Sequence, residues 1–311
     1  MAGLLTKLKP TRRWMQVSLR TVLVLVTLLC VALSLWVVPA ERQRRAVAAI
    51  RTRGGMVQYA DPDLHPGEPA AKRMLRRWLP QDFLDGVDYV VLRSDVQVTG
   101  DDLAQLQSLA GLKSLGLGSN SGACDRDLVL LRGLDGLEFL IASGNPITDL
   151  GLTHLAHLRS LDQLYLDRTL VTGAGLTRLT GQIRLTALSL DDCPVTDSGL
   201  DGLRGQAGLH FLSLNGTQVT DAGLACLCDF LQLRGLGLDR TLITGIGLAH
   251  LRELPRLERL KLNHTLLTDA GLVYLEELKS LQRLDLVGTQ TTDAAVARLR
   301  KALPNCTVVG P

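Results

Sequence analysis

Few side chains of this chain have the types and spacing that chemistry needs. His154 and His157 stand three apart on one face of an expected helix, as two zinc ligands would. No third ligand accompanies them, so they read as solvated surface histidines. Asp167 and Asp191 occupy equivalent points 24 residues apart and could hold a cation or share a proton. With no closed pocket to desolvate them, they read as solvated carboxylates. The six cysteines are Cys30, Cys124, Cys193, Cys226, Cys228 and Cys306. Cys226 and Cys228 are two apart on a helix and do not face each other, and no paired zinc spacing occurs. Free, mostly buried thiols are expected. Gly116/Gly118, Gly235/Gly237 and Gly245/Gly247 form Gly-x-Gly pairs without the third glycine of a dinucleotide fingerprint, and neither a P-loop nor a GxSxG elbow occurs. Asn215-Gly216-Thr217, Asn263-His264-Thr265 and Asn305-Cys306-Thr307 match the glycosylation pattern, but a repeat with polar residues before a threonine generates the first two. No cofactor, metal or catalytic residue is expected, and the chain reads as not an enzyme. The remaining enzymatic reading is an unrecognised site on the Asn120–Asp127 loop.

Binding is better supplied. One column of outward strand positions reads Ser143, Asp167, Asp191, Asn215, Asp239 and Asn263. Phe139, Ile141, Tyr165 and Phe211 add apolar surface, and Arg259, Lys261 and Arg283 add positive charge towards the C-terminal end. Aromatic residues and arginine dominate interface hot spots. The candidate binding residues for a protein or peptide partner are therefore Phe139, Ile141, Tyr165, Asp167, Asp191, Phe211, Asn215, Asp239, Arg259, Lys261 and Arg283. Any stacked repeat also needs a polar inner face, and that plainer reading of the same residues stays open.

A strict period positions these side chains. Leu137, Leu161, Leu185, Leu209, Leu233, Leu257 and Leu281 lie 24 residues apart; Leu112 and Val87 precede by steps of 25, and Cys306 follows by 25. Within a unit, leucine recurs three and five positions later, as in Leu209, Leu212 and Leu214; the last spacing of two puts both on one face of a strand. A polar turn follows, then Thr220-Asp221 or Thr268-Asp269, where threonine can cap a helix and aspartate suits its dipole. Leu224 and Leu227 then face inward from that helix. One unit cannot bury its own leucines, but stacked units share a core. Asn120, Asn145, Thr169, Cys193, Thr217, Thr241, Thr265 and Thr289 form a row expected to satisfy buried backbone groups. Gly151, Gly175, Gly199, Gly223, Gly247 and Gly271 recur near the helix start, where a close backbone approach is the expected reason.

These residues resemble the leucine-rich repeat family, specifically its ribonuclease-inhibitor-like and cysteine-containing subclass. FLSLNGTQVTDAGLACL at 211–227 fits the pattern LxxLxLxxTxVTDAGLxxLxxLxx almost letter for letter, and the resemblance covers residues 87–311. It implies an α/β fold: a leucine-rich repeat solenoid with parallel strands on the concave side and helices on the convex side. Cysteine-containing repeats also serve as substrate adaptors of ubiquitin ligases beside an F-box, but residues 39–86 hold no convincing F-box. The layout of anchor and repeats is more loosely similar to repeat proteins of planctomycete-type bacteria. Two units depart from the pattern. The turn Asn120–Asp127 reads as one residue longer than its counterparts, and Ala295-Val296 replaces Gly-Leu in a last unit whose end, Cys306 to Val309, reads as a half-unit covering the sheet edge.

Ahead of the repeats, residues 21–38 carry no charge and only three hydroxyls, Thr21, Thr27 and Ser34. As a helix they span about 27 Å, close to the roughly 30 Å of a bilayer core. Trp14 and Trp36 sit near the ends, as interface anchors do. The competing reading is a cleaved signal peptide, with Val38-Pro39-Ala40 as the site, but the run is longer than the roughly 7–15 residues such a peptide needs. Lys7, Lys9, Arg12, Arg13 and Arg20 precede the run, and Arg42, Arg44, Arg45, Arg51 and Arg53 follow it. The balance leaves the short N-terminal tail to favour amino end in, with the repeats outside the cytoplasmic membrane. The expected organisation is a basic tail (1–20), a single transmembrane helix (21–38), a juxtamembrane helix, linker and N-terminal cap (39–86), and repeats (87–311). Within 39–86, Glu41 to Arg53 reads as a basic helix stopped by Gly54-Gly55, Met56 to Tyr59 as a short strand, Asp61 to Pro69 as a loop, and Ala70 to Leu84 as an amphipathic cover for the first repeat.

Composition agrees. Of the 311 residues 68 are leucine while aromatics make up 4%, which suits leucine-based repeats better than a compact enzyme core. The net charge of +3 hides ten Lys/Arg against one acid in residues 1–60, and twenty-four against thirty afterwards. An acidic repeat region is a poor partner for phosphates, so nucleic acid is not expected.

Overall fold

Each unit reaches a core only through its neighbours, and the strand pairing follows from that. The computed structural model describes residues 19–60, 81–179 and 185–310. Among them, eleven strands form one open sheet in sequence order. β1 (Met56–Tyr59) runs antiparallel to β2 (Val87–Val91). Pairing is then parallel through β3 (Ser114–Gly116), β4 (Phe139–Ile141), β5 (Gln163–Tyr165), β6 (Ala187–Ser189) and β7 (Phe211–Ser213). It continues through β8 (Gly235–Gly237), β9 (Arg259–Lys261), β10 (Arg283–Asp285) and β11 (Thr307–Val309). The middle residues Leu140, Leu164, Leu188, Leu212, Leu236, Leu260 and Leu284 stand in register, each at most 2% exposed. Their neighbours on either side point away from the core, so each strand offers two side chains to the open face.

The return path behind the sheet is short and tight. Asp149–Leu155, Asp269–Leu272 and Asp293–Ala302 are α-helical, whereas Ala174–Arg178, Gly223–Asp229 and Ile246–Glu253 are 3-10 helices. A 3-10 turn advances about 2.0 Å per residue against about 1.5 Å in an α-helix, so few residues can recross the repeat. The recurrent glycines have the expected reason: a Cβ on Gly175 would fall 2.7 Å from the Asp149 carbonyl oxygen, and one on Gly247 would fall 2.4 Å from that of Asp221.

The polar row does its expected work, with one correction. The hydroxyls of Thr169, Thr217, Thr241 and Thr265 donate to the carbonyls of Leu166, Leu214, Leu238 and Leu262 at 2.6–2.8 Å. Asn120, however, is not a member of the row. Ser121 takes that place, donating from its N–H and hydroxyl to Asn145 Oδ1 at 3.1 and 3.0 Å, while Asn120 adopts the left-handed conformation (φ 56°) also seen at Arg168, Asp192, Arg240 and His264. The extra residue therefore lies earlier, between Leu117 and Asn120. From Asn120 onward that unit keeps the common frame, and Asp125 binds Thr148 as Asp149 binds Thr172, each 23 residues on. Equal leucine spacing on both sides of the insertion hides its position. Capping differs too: Thr220 Oγ1 accepts from the Ala222 N–H at 3.3 Å, but Thr268 makes no such bond.

At the N-terminal end, the expected membrane and juxtamembrane helices are one element. α1 (Leu19–Thr52) runs through Pro39 and stops at Gly54, whose φ is +76°. No described side chain of the apolar window in its first half is buried; α1 is the one helix among the described residues long and apolar enough to cross a membrane. Its second half buries Ala46, Val47 and Ile50 in the core. Arg53 then pairs with the buried Asp102 carboxylate at 3.0 Å. Trp14, most of the basic tail and the stretch 61–80 lie outside the described residues; of the expected cover helix, Gln81–Leu84 is helical. At the other end Asp293–Ala302 is followed by β11, which pairs with β10 as the expected closing half-unit.

Candidate functional site

Two rows of side chains cross the open face of the sheet. In the first, register places Phe139, Gln163, Ala187, Phe211, Gly235, Arg259 and Arg283 on successive strands. In the second it places Ile141, Tyr165, Ser189, Ser213, Gly237, Lys261 and Asp285. The expected aromatic and basic residues therefore share one continuous surface. The rings of Phe139 and Tyr165 lie 5.2 Å apart at 43°. Phe211 is 41% exposed, and the Arg259 guanidinium lies 4.9 Å above its ring, a cation–π contact. Phe211 and Arg259 stand two strands apart and meet because Gly235 lies between them: a Cβ there would be 2.6 Å from the Phe211 ring. Arg283 is exposed and pairs along its own strand with Asp285 at 2.9 Å.

Between Tyr165 and Lys261 the surface dips into a cleft of about 300 Å³. Its floor is Ala187, Ser189, Ser213, Gly235 and Gly237, and Phe211, Arg259 and Lys261 stand around it. The floor residues are not among those expected from the sequence. Their signal was present in it: small residues at both outward positions of β6 and β8 and at the second outward position of β7.

The acid and amide column has another role. Each side chain accepts the backbone N–H of its counterpart one repeat later: Asp167 from Asp191 at 3.1 Å, Asp191 from Asn215 at 2.9 Å, Asn215 from Asp239 at 2.8 Å, and Asp239 from Asn263 at 2.7 Å. Asn263 continues the ladder to the Val287 N–H at 2.8 Å. These N–H groups lie where the chain leaves the strand and need a partner. Asp167 and Asp191 are thus members of a structural ladder, not a free acid pair. Of the eleven expected residues, Asp167, Asp191, Asn215 and Asp239 hold repeats together, while Phe139, Ile141, Tyr165, Phe211, Arg259, Lys261 and Arg283 lie on the sheet face.

The other chemical candidates sit behind the sheet. His154 and His157 are half-buried, not solvated, and burial pushes the His157 imidazole below its ordinary value. Cys193 and Cys226 are buried, and burial raises both thiols, that of Cys226 to about 12. Cys124 is raised by burial and by the carboxylate of Asp127, which accepts from its thiol at 3.1 Å. No group of three His, Cys, Asp or Glu side chains among the described residues is placed to hold a metal.

The repeats can be compared with known proteins on this geometry. The family model described as Leucine Rich repeat matches residues 185–203 and 209–228, two consecutive strand-turn-helix units. The fold is a leucine-rich-repeat solenoid. An internalin of Listeria monocytogenes superposes on the solenoid with a TM-score of 0.51 at 22% identity, over 70% of this chain and 66% of that one. A leucine-rich-repeat protein of Leptospira interrogans gives 0.51 at 21% identity, over 68% and 51% of the two chains. Internalin C2 of L. monocytogenes gives 0.52 at 23% identity, over 75% and 99%. The solenoid thus spans just under two thirds of the first relative and about half of the second. No curated protein matches the chain.

Proposed function

We propose that this chain is a membrane-anchored leucine-rich-repeat module that binds a protein or peptide partner on the open, concave side of its sheet. The observation that carries this reading is the set of large side chains on that face. Phe211 is exposed at the start of β7, and with Phe139, Tyr165, Arg259 and Lys261 it supplies aromatic and basic groups of the hot-spot kind. The Asp and Asn column satisfies its own backbone, so the aromatic and basic residues are not needed to make the face polar. Residues 21–38 are the proposed single membrane span, with the amino end inside and the repeats outside the cytoplasmic membrane. The exposed apolar half of α1 supports the span, and the short N-terminal tail favours the orientation. We read the repeats as ribonuclease-inhibitor-like and cysteine-containing, supported by the 24-residue period and by Cys193 in the threonine row, and the layout as that of planctomycete-type bacterial repeat proteins.

The test is photocrosslinking in intact cells, with a photoreactive side chain at Phe139 or Tyr165 and a control at Leu231 behind the sheet. A specific adduct from the sheet face alone is expected; identical adducts from both sides would sink the proposal. Orientation is tested by protease treatment of spheroplasts carrying a C-terminal tag. Loss of the tag is expected, and its protection would reverse the topology.

A further inference from the structure

The cleft has a chemistry that narrows its occupant. Four strand steps of about 4.8 Å separate the strands of Tyr165 and Lys261, giving a trough about 19 Å wide. The floor hydroxyls are already engaged: Ser189 Oγ donates to Asp167, and Ser213 Oγ accepts from Asn215 Nδ2 at 2.9 Å. What remains for a ligand is a flat floor, the two rings of Tyr165 and Phe211, and two cations. The Arg259 guanidinium lies over the Phe211 ring on an exposed side chain and makes no ion pair among the described residues, so its N–H donors are open to a ligand. Lys261 lies two residues further on the same side of β9. Nearby acids do not neutralise the pair. Glu258 is bound to Arg234 at 2.7 Å and Asp285 to Arg283 at 2.9 Å, while Asp239 keeps its charge and accepts from the Asn263 N–H, forming no ion pair with either cation. Among the described residues neither Arg259 nor Lys261 forms an ion pair.

Resting on the concave-face reading above, we infer that the cleft is a subsite for an acidic peptide segment. An aromatic or large aliphatic side chain sits over Ala187 and Ser189 of β6, between the strands of Tyr165 and Phe211, and a carboxylate two to four residues along is held by Arg259 and Lys261. An extended peptide advances about 3.3 Å per residue, so this offset carries it from the β6 floor to the cations of β9, of which Arg259 reaches back to Phe211. The planar guanidinium, already oriented by Phe211, can take a carboxylate through two parallel N–H donors.

The test uses the full chain in detergent micelles and immobilised hexapeptides. Each peptide carries Phe, Trp or Leu followed at two to four positions by Asp or Glu, and its control carries Asn or Gln there. The acidic members are expected to bind about tenfold more tightly than their amides, since charge-assisted hydrogen bonds are worth about one such factor. Raising the salt should shrink the ratio. R259Q with K261Q should bring the ratio close to one while circular dichroism stays unchanged, and F211A should weaken acid and amide peptides alike. Binding blind to the charge, binding of no peptide, or a ratio that survives R259Q/K261Q each overturns the inference. Loss of the in-cell crosslink from Tyr165 would overturn the concave-face reading instead. A crosslink kept in wild type and in R259Q/K261Q would leave that reading standing and remove the subsite.

Discussion

The Asp221 carboxylate and the Gly247 backbone are 26 residues apart in the chain and 3.0 Å apart in space, Oδ1 accepting from the N–H. The same carboxylate accepts from Gly245 N–H at 3.1 Å and from the N–H and hydroxyl of Thr244. Asp149 repeats the arrangement with Gly175 at 3.0 Å and Gly173 at 3.3 Å. One acid thus gathers the orphan donors at the start of the next repeat's helix, tying neighbouring units together behind the sheet as the Asp/Asn column ties them at its face.

Removing this acid should loosen the stack. Asp221→Ala leaves several donors without an acceptor and is expected to cost about 1–3 kcal/mol, read by urea unfolding of the full chain in detergent. Burial alone would push the Asp221 carboxyl up, but the Thr244 hydroxyl and the N–H groups of Gly245, Gly247 and Thr244 outweigh it and hold the group below its usual range. A depressed carboxylate stabilises the fold above its unfolded value of 3.8, and that contribution fades as pH falls through the folded value. The gap between wild type and Asp221→Ala should therefore narrow below pH 3.8. A gap that is constant down to pH 2 would contradict this account.

Gly247→Ala should destabilise although alanine is the better helix former by about 1 kcal/mol. The added Cβ would meet the Asp221 carbonyl oxygen at 2.4 Å and its Cα at 2.6 Å, and backbone cannot swing aside as a side chain can. A loss of about 1–3 kcal/mol is expected. Gly86→Ala, where nothing lies within 4 Å, serves as the control and should leave the unfolding midpoint in place.

His157 predicts the opposite side of the pH range. Its imidazole is held below 6.5 by burial, so the unfolded chain binds the proton more readily. Stability should fall as pH drops through 6.5 towards the folded value, and His157→Gln should flatten that slope. Equal slopes in both proteins between pH 7 and 5 would show that the ring titrates freely.

The buried thiols should be inert. Cys193 and Cys226 are each 2% exposed, and burial pushes the Cys226 thiol to about 12. Because the thiolate is the reactive form, iodoacetamide at pH 8 is expected to modify neither until denaturant is added. Mass spectrometry of the native, alkylated protein checks this, and rapid labelling of Cys226 would contradict its placement.

The junction of anchor and repeats should depend on Ile50, which is 3% exposed and packs α1 into the core. Ile50→Ala is expected to cost about 2–5 kcal/mol. Arg53→Ala should also destabilise, because it leaves the Asp102 carboxylate buried without its cation. Limited proteolysis after residue 53 reads both; unaltered cleavage in the two variants would mean that α1 does not cap the first repeat.

The period of 24 and the leucine offsets were enough, by themselves, to determine the stacked strands, the inward leucines, the threonine row and the close approach at the recurrent glycines. Burial recurs at the same place in every unit, so its pattern is written locally and repeatedly. The sequence also placed Phe139, Tyr165, Phe211, Arg259 and Lys261 on one face, because alternation along a strand needs no knowledge of the neighbours. Only the tertiary structure decided what the polar residues do. Asp167, Asp191, Asn215 and Asp239 have the composition of a ligand-binding surface, yet each is matched to an N–H one repeat on. Nothing local distinguishes a carboxylate facing water from one facing a backbone 24 residues away. The cleft is of the same kind: Arg259 reaches Phe211 over Gly235 only when three strands lie side by side in register.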